Sequence, residues 1–244
     1  MTLLSLRDVN TFIGQFHILE GVDLDVPAGS IVALLGRNGA GKTTTLRTIL
    51  GLERASSGSI VFDGRELTGR RSYDIASMGI GFVPENRAIF GDLSVLENLL
   101  IAERHKGEFE RKRSMIFGLF PDLERLIRLA GTDLSGGQQQ MLAVARALVP
   151  DNRLLLIDEP SEGLAPVIIE QMMEAIRVLS AETTVLLVEQ NFIVASRLAS
   201  SYVIIDEGRS VRAGAMADLQ QDTETVNRFL GMQTNSGGEG TGDV

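Results

Sequence analysis

Cysteine is absent from this 244-residue chain, which removes disulfides, thiolate metal sites and cysteine nucleophiles together and fits a reducing compartment. Histidine occurs twice, as His17 and His105, with no second ligand-type residue clustered beside either, so no histidine metal site is expected. No uncharged apolar run approaches the ~20 residues that a membrane-spanning helix needs. The short apolar start runs into Arg7 and Asp8, which is not the pattern of a signal peptide. Basic residues do not dominate either. Lys and Arg number 23 against 32 Asp and Glu, a formal net charge of −9, and bulk electrostatics disfavour a nucleic-acid partner. The one basic crowd, Arg104, His105, Lys106, Arg111, Lys112 and Arg113, reads as a solvated helix face. No internal repeat is visible. The length fits one large domain, or one domain with a subdomain.

What is present is more specific. Gly36-Arg37-Asn38-Gly39-Ala40-Gly41-Lys42-Thr43 matches the phosphate-binding pattern G-x-x-x-x-G-K-[ST]. Ile31–Leu35 before it reads as a buried strand, and the run from Thr43 to Leu50 reads as a helix closed by Gly51. Glycines let successive N–H groups converge on one anion, and a helix N-terminus adds favourable partial charge. The pattern assigns Lys42 to the β- and γ-phosphates and the Thr43 hydroxyl to Mg²⁺. A nucleoside-triphosphate site is predicted.

Apolar β-like runs alternate with helical patterns, which predicts an α/β domain with a largely parallel sheet. Such sheets bind ligands beyond the carboxyl ends of their strands. Four short runs end at polar residues suited to a phosphate or a water: Ile31–Leu35 at Gly36, Ile80–Val83 before Glu85, Leu154–Ile157 at Asp158-Glu159, and Val185–Val188 before Glu189-Gln190. Up to about Pro27, apolar and polar residues alternate as in antiparallel strands. Residues 86–147 turn helical, with Leu93–Ala102, Glu108–Leu119 and Leu123–Leu129 as expected helices, and form the candidate inserted subdomain. One domain is expected over 1–233. The Gly-, Ser- and acid-rich stretch 234–244 is expected to be a disordered tail.

Two further motifs follow. The run ending Asp158-Glu159-Pro160 delivers Asp158 to a Mg²⁺ shell and Glu159 to a water aligned with the γ-phosphate. Leu134-Ser135-Gly136-Gly137-Gln138 opens a helix, a second N-terminus suited to anions. The order of these three features resembles that of the ATP-binding-cassette (ABC) ATPases, and the resemblance covers residues 3 to 232. It implies a P-loop NTPase core with an N-terminal antiparallel part and an inserted helical subdomain. It also implies ATP with Mg²⁺, and a head-to-tail dimer. In that dimer Gly36–Thr44 of one chain faces Ser135, Gly136, Gly137 and Gln138 of the other.

Val83-Pro84-Glu85, Gln139–Ala143, Ser161-Glu162-Gly163-Leu164-Ala165-Pro166 and Val188-Glu189-Gln190-Asn191 narrow the resemblance to one branch. They look like the shorter of two unlike ATPases in branched-chain amino-acid importers; similar subunits serve urea and other amide importers. The branch implies a second unlike ATPase, two integral-membrane permease subunits, an extracytoplasmic binding protein acting indirectly, and a peripheral position on the cytoplasmic face. Permease helices would dock in a groove near Glu85 to Leu96. A soluble ABC ATPase without a permease, and a regulatory module with hydrolysis lost, are the readings from other classes.

Three positions depart from the general family pattern. Glu85 stands where most relatives carry a Gln that meets Mg²⁺ and the attacking water. A carboxylate accepts there but cannot donate, and it repels the γ-phosphate. Gln190 stands where most relatives carry a switch His, and its amide donates without carrying charge. At the adenine end, the position of an aromatic residue is matched by Ile13-Gly14, flanked by Phe12 and Phe16. Phe12 is the candidate stacking residue, with Phe16 as the other aromatic choice and Ile13 as the purely apolar alternative.

Overall fold

The computed structural model describes residues 1–231. The expected tail, 234–244, lies outside the described residues. Alternating apolar positions build β1 (Thr2–Ile13) and β2 (Phe16–Pro27), an antiparallel pair in register Leu6↔Leu24 and Val9↔Val22. Gly14 turns this hairpin in the left-handed conformation. After β3 (Ile31–Leu35) and α1 (Lys42–Ile49), the strands β4 (Ala55–Phe62) and β5 (Arg65–Glu66) complete a four-stranded sheet, ordered β2-β1-β4-β5. Then α2 (Ser72–Ser77) leads to β6 (Ile80–Val83).

Between β6 and the next strand come α3 (Val95–Leu100), α4 (Glu108–Leu119), α5 (Pro121–Arg125) and α6 (Gly136–Leu148). The chain continues through β7 (Leu154–Asp158), α7 (Pro166–Ser180), β8 (Thr184–Glu189), α8 (Phe192–Leu198), β9 (Ser201–Asp206) and β10 (Arg209–Ala215). The described residues end with α9 (Met216–Gln221) and α10 (Thr223–Leu230). The second sheet runs β10-β9-β3-β8-β7-β6; all its pairs are parallel except β10 with β9.

Every residue of β3, β7 and β8 is buried, as continuous apolar runs in a covered parallel sheet demand. Side chains alternate between two cores across this sheet. Ala33, Leu35, Leu155 and Ile157 pack with the helical side, among Phe109, Phe120, Leu142 and Ile176. Val32, Leu34, Leu154 and Leu156 pack with α1 and the antiparallel sheet, among Leu46, Ile49 and Phe62. Fully buried Leu123 locks α5 into the first of these; truncating such a side chain to Ala costs about 2–5 kcal/mol.

Two expected helices are shorter than the sequence pattern predicts. The first covers Val95–Leu100 rather than Leu93–Ala102, because Ser94 is its N-cap: Ser94 Oγ accepts from Glu97 N at 3.2 Å, and the Glu97 carboxylate accepts from Ser94 N at 2.8 Å. The other covers Pro121–Arg125 rather than Leu123–Leu129. The carbonyls of Ile127 and Leu129 are used instead by the first turn of α3, accepting from Leu96 N at 3.0 Å and Val95 N at 2.9 Å.

Candidate nucleotide site

The registers Leu35↔Glu189, Val188↔Asp158 and Ile157↔Val83 bring the carboxyl ends of β3, β8, β7 and β6 side by side. The four polar strand endings therefore share one sheet edge. Between β3 and α1 the loop from Gly36 to Gly41 can close only with glycine at its two ends. A Cβ on Gly36 would sit 2.3 Å from the Ile205 carbonyl oxygen, and one on Gly41 would sit 2.9 Å from Leu19 Cδ2, at φ +107. Gly41 caps α1 without a side-chain hydrogen bond, so first-turn N–H groups remain available to an anion. The loop is tied to α10 as well, since Arg37 Nη2 donates to the Arg228 carbonyl at 2.9 Å.

Lys42 is buried, and its ammonium meets three oxygens. It donates to the carbonyls of Gly36 at 3.0 Å and Arg37 at 3.1 Å, and it pairs with Glu159 Oε1 at 3.0 Å. Thr43 Oγ1 donates to Asp158 Oδ1 at 3.2 Å. Burial lifts the Asp158 carboxyl to about 6, opposed by that hydrogen bond and reinforced by the charges of Glu159 and Glu85. A cleft of about 400 Å³ lies over these groups, lined by Asn38, Gly39, Lys42, Thr43, Glu85 and Glu159 among others.

Not every candidate faces this cleft. Ile13 and Ile18 form its apolar end. Phe12 is not among the lining residues; its ring stacks on His17 with centroids 4.1 Å apart. Gln190 follows β8 and is exposed, also outside the lining. Ser135 and Gly136 are exposed, with Gly137 and Gln138 half-buried, and none of the four lines the cleft of its own chain. There Ser135 N-caps α6, accepting from Gln138 N at 3.4 Å while Gln138 Oε1 accepts from Ser135 N at 2.9 Å.

Three residues at the site were given no catalytic or binding role of their own by sequence reasoning. Glu162 lines the cleft, and its carboxyl is pushed up by burial and by the neighbouring Glu159 and Glu85. Glu189 is buried at the end of β8, and Ser161 hydrogen-bonds to it. The signal for Glu189 was a carboxylate ending an otherwise apolar strand.

The family model described as ABC transporter matches residues 19–162 of this chain. The chain belongs to the ABC transporter family. This cassette is 43% identical to the high-affinity branched-chain amino acid transport ATP-binding protein BraG of Pseudomonas aeruginosa, over 94% of the chain and 100% of that protein. It is 34% identical to the probable branched-chain amino acid transport ATP-binding protein LivF of Archaeoglobus fulgidus, covering 89% of the chain and 94% of the relative. Among solved structures it superposes on the dimeric post-hydrolysis state of an ATP-binding cassette bound to ADP and Pi, with TM-score 0.77 and 26% identity, over 87% of this chain and 98% of that one. The cassette is an ABC-type ATPase, and ATP is its nucleotide. Among the described residues, no helix is long and apolar enough to cross a membrane.

A separate groove of about 490 Å³ opens between α2, β6 and the end of α6, lined by Leu52, Tyr73, Phe82, Arg87, Arg104 and Arg146 among others. Of the stretch 85–96 expected to form such a groove, only Arg87 and Ala88 line it. The next turn is folded onto α3: buried Asn98 accepts from Phe90 N at 2.9 Å and donates to the carbonyls of Phe90, Leu93 and Ser94.

Proposed function

We propose that this cassette energises the import of branched-chain amino acids as one of two unlike ATPase subunits on the cytoplasmic face of a membrane. Two integral-membrane permease subunits would sit above the pair, served by an extracytoplasmic binding protein. The observation that carries the reading is the full-length similarity to BraG, joined to a cleft that brings Lys42, Thr43, Glu85 and Glu159 together.

In that cleft the loop N–H groups cradle the phosphates, and Lys42 shifts from Glu159 toward the γ-phosphate. Glu159, released from the ammonium, takes the proton of the attacking water. Ile13 and Ile18 supply the apolar contact for adenine, with Phe12 stacked on His17 beside them. Hard oxygen donors suit Mg²⁺, and Thr43 Oγ1 beside Asp158 Oδ1, with Glu85 across the cleft, is such a set. These residues would hold the ion, whose charge would neutralise phosphate oxygens. Gln190, by donating its amide, is assigned to the γ-phosphate. The Ser135–Gln138 helix start, exposed at Ser135 and Gly136, is assigned to the nucleotide held by the second ATPase.

Closure of the two cassettes would pull on short permease helices lying in the groove beside Tyr73 and Leu52, whose side chains are exposed apolar surface. The test is purification of tagged Glu159→Gln protein from native membranes with Mg·ATP and mass spectrometry of what stays bound. A second, unlike ABC ATPase with two multi-spanning permeases is expected. Recovery of soluble partners alone would overturn the importer reading.

A further inference from the structure

Glu189 is a buried carboxylate that the hydrolytic steps above do not use. It is 1% exposed, at the carboxyl end of β8, directly before Gln190. Both of its oxygens are engaged. Oε1 accepts from Ser161 N at 3.2 Å, while Oε2 accepts from Ser161 Oγ at 3.0 Å and from Asn191 N at 3.2 Å. A strand end packed in an apolar sheet has no need of an acid, and burying one is costly unless its partners are fixed.

The partners lie on the turn that carries Glu159. This residue holds φ +42, a left-handed conformation that a glutamate avoids unless its surroundings impose it. The turn is held at two successive points. Glu159 N donates to the Val188 carbonyl at 2.9 Å, and two residues later Ser161 is bound through both its N–H and its hydroxyl by Glu189. Neither contact comes from the turn itself; both come from the end of β8. On the other side Glu159 Oε1 meets Lys42.

We propose that Glu189 is a positioning residue: by clamping Ser161 it fixes the strained turn that aims Glu159, and it links that turn to Gln190 on the same strand end. The clamp sits outside the cleft, so it acts on turnover and not on the nucleotide's grip. This inference rests on Glu159 being the general base.

The test compares the full chain and its variants for steady-state ATP turnover with Mg²⁺, for binding of a fluorescent ATP analogue, and for thermal unfolding. Glu189→Ala is expected to lower kcat by at least about 10-fold while the dissociation constant stays within about 3-fold, since small misplacement of a base costs rate rather than binding. Glu189→Gln keeps one accepting oxygen and is expected to recover most of the loss. Ser161→Ala should lower kcat about 3-fold alone yet add almost nothing on top of Glu189→Ala, the signature of one shared contact. Glu159→Gln serves as the reference. Should Glu159→Gln keep its turnover, the general-base reading fails. Should it lose turnover while Glu189→Ala stays within about 2-fold of the parent, the clamp alone fails. Parallel loss of binding, kcat and melting temperature would reduce Glu189 to a stabilising contact and overturn the proposal. If Glu189→Ala does not fold, a Ser161→Ala chain that binds the analogue and turns over ATP as the parent does would overturn it equally.

Discussion

Lys42 Nζ lies 3.0 Å from Glu159 Oε1, both side chains nearly inaccessible, so the proposed phosphate anchor and the proposed general base form one ion pair. A phosphate oxygen must compete with Glu159 for that ammonium. Binding and activation are thereby linked: the lysine that turns to phosphate leaves the carboxylate free to accept a proton.

Replacing Glu159 by Gln removes the base and weakens the competitor together. Turnover should fall about 10²–10³-fold, while ATP binds as tightly as before or a few-fold tighter. Single-turnover rates and equilibrium binding of labelled ATP check both halves. Weaker ATP binding in this variant would contradict the competition between Glu159 and phosphate.

Lys42→Ala has the opposite signature. It strips the phosphates of their ammonium and leaves buried Glu159 unpaired, which costs on the order of 3 kcal/mol of stability. Chemical denaturation and nucleotide titration of the same preparation should report both losses.

The apolar end of the cleft predicts which side chain meets the base. Ile13→Ala should raise the KM for ATP about 3–5-fold, the effect of roughly 1 kcal/mol of lost apolar contact, whereas Phe12→Ala should leave it within about 2-fold. A large effect at Phe12 alone would move the adenine contact to that ring.

Glu189 gives stability a pH dependence with a definite sign. Burial lifts its carboxyl from 4.5 to about 7, against the hydrogen bonds of Ser161 and Asn191 and with the charge of Glu159 adding to the rise. Between those two values the folded chain holds this proton more tightly than the unfolded chain, so stability falls as pH rises through that window. Glu189→Gln should flatten the fall by on the order of 2 kcal/mol, measured by urea unfolding with chelator at pH 5, 6 and 7.5. An unchanged slope would show that the carboxylate is already charged throughout.

Asn98 holds the turn at residues 90–94 through four hydrogen bonds. Asn98→Ala leaves the Phe90 N–H without its partner and should cost about 2–3 kcal/mol. ATP turnover of the isolated cassette should change little, because the cleft does not include this turn.

Much of this architecture is legible in the amino-acid sequence. The buried strands announced themselves as short, continuous apolar runs, and Gly36–Thr43 could hardly be anything but a phosphate loop once flanked by Ile31–Leu35 and a helix. Helix ends were harder, because they are set by distant partners: Leu96 and Val95 N–H groups take the carbonyls of Ile127 and Leu129, which pulls those residues out of α5. The Glu189–Ser161 clamp spans 28 positions and has no periodic signature, and nothing in one sequence says which acid faces which hydroxyl. Phe12 and Ile13 adjoin on one strand, whose successive side chains take opposite faces; only register shows which one lines the cleft.

ATP hydrolysis at Glu159 is the step proposed to power amino-acid import. The most direct measurement is uptake of labelled leucine, at limiting external concentration, by cells deleted for this chain and carrying back either the parent or Glu159→Gln. The parent is expected to restore uptake, and Glu159→Gln to leave it at the level of the deletion. Uptake equal in all three strains would contradict it.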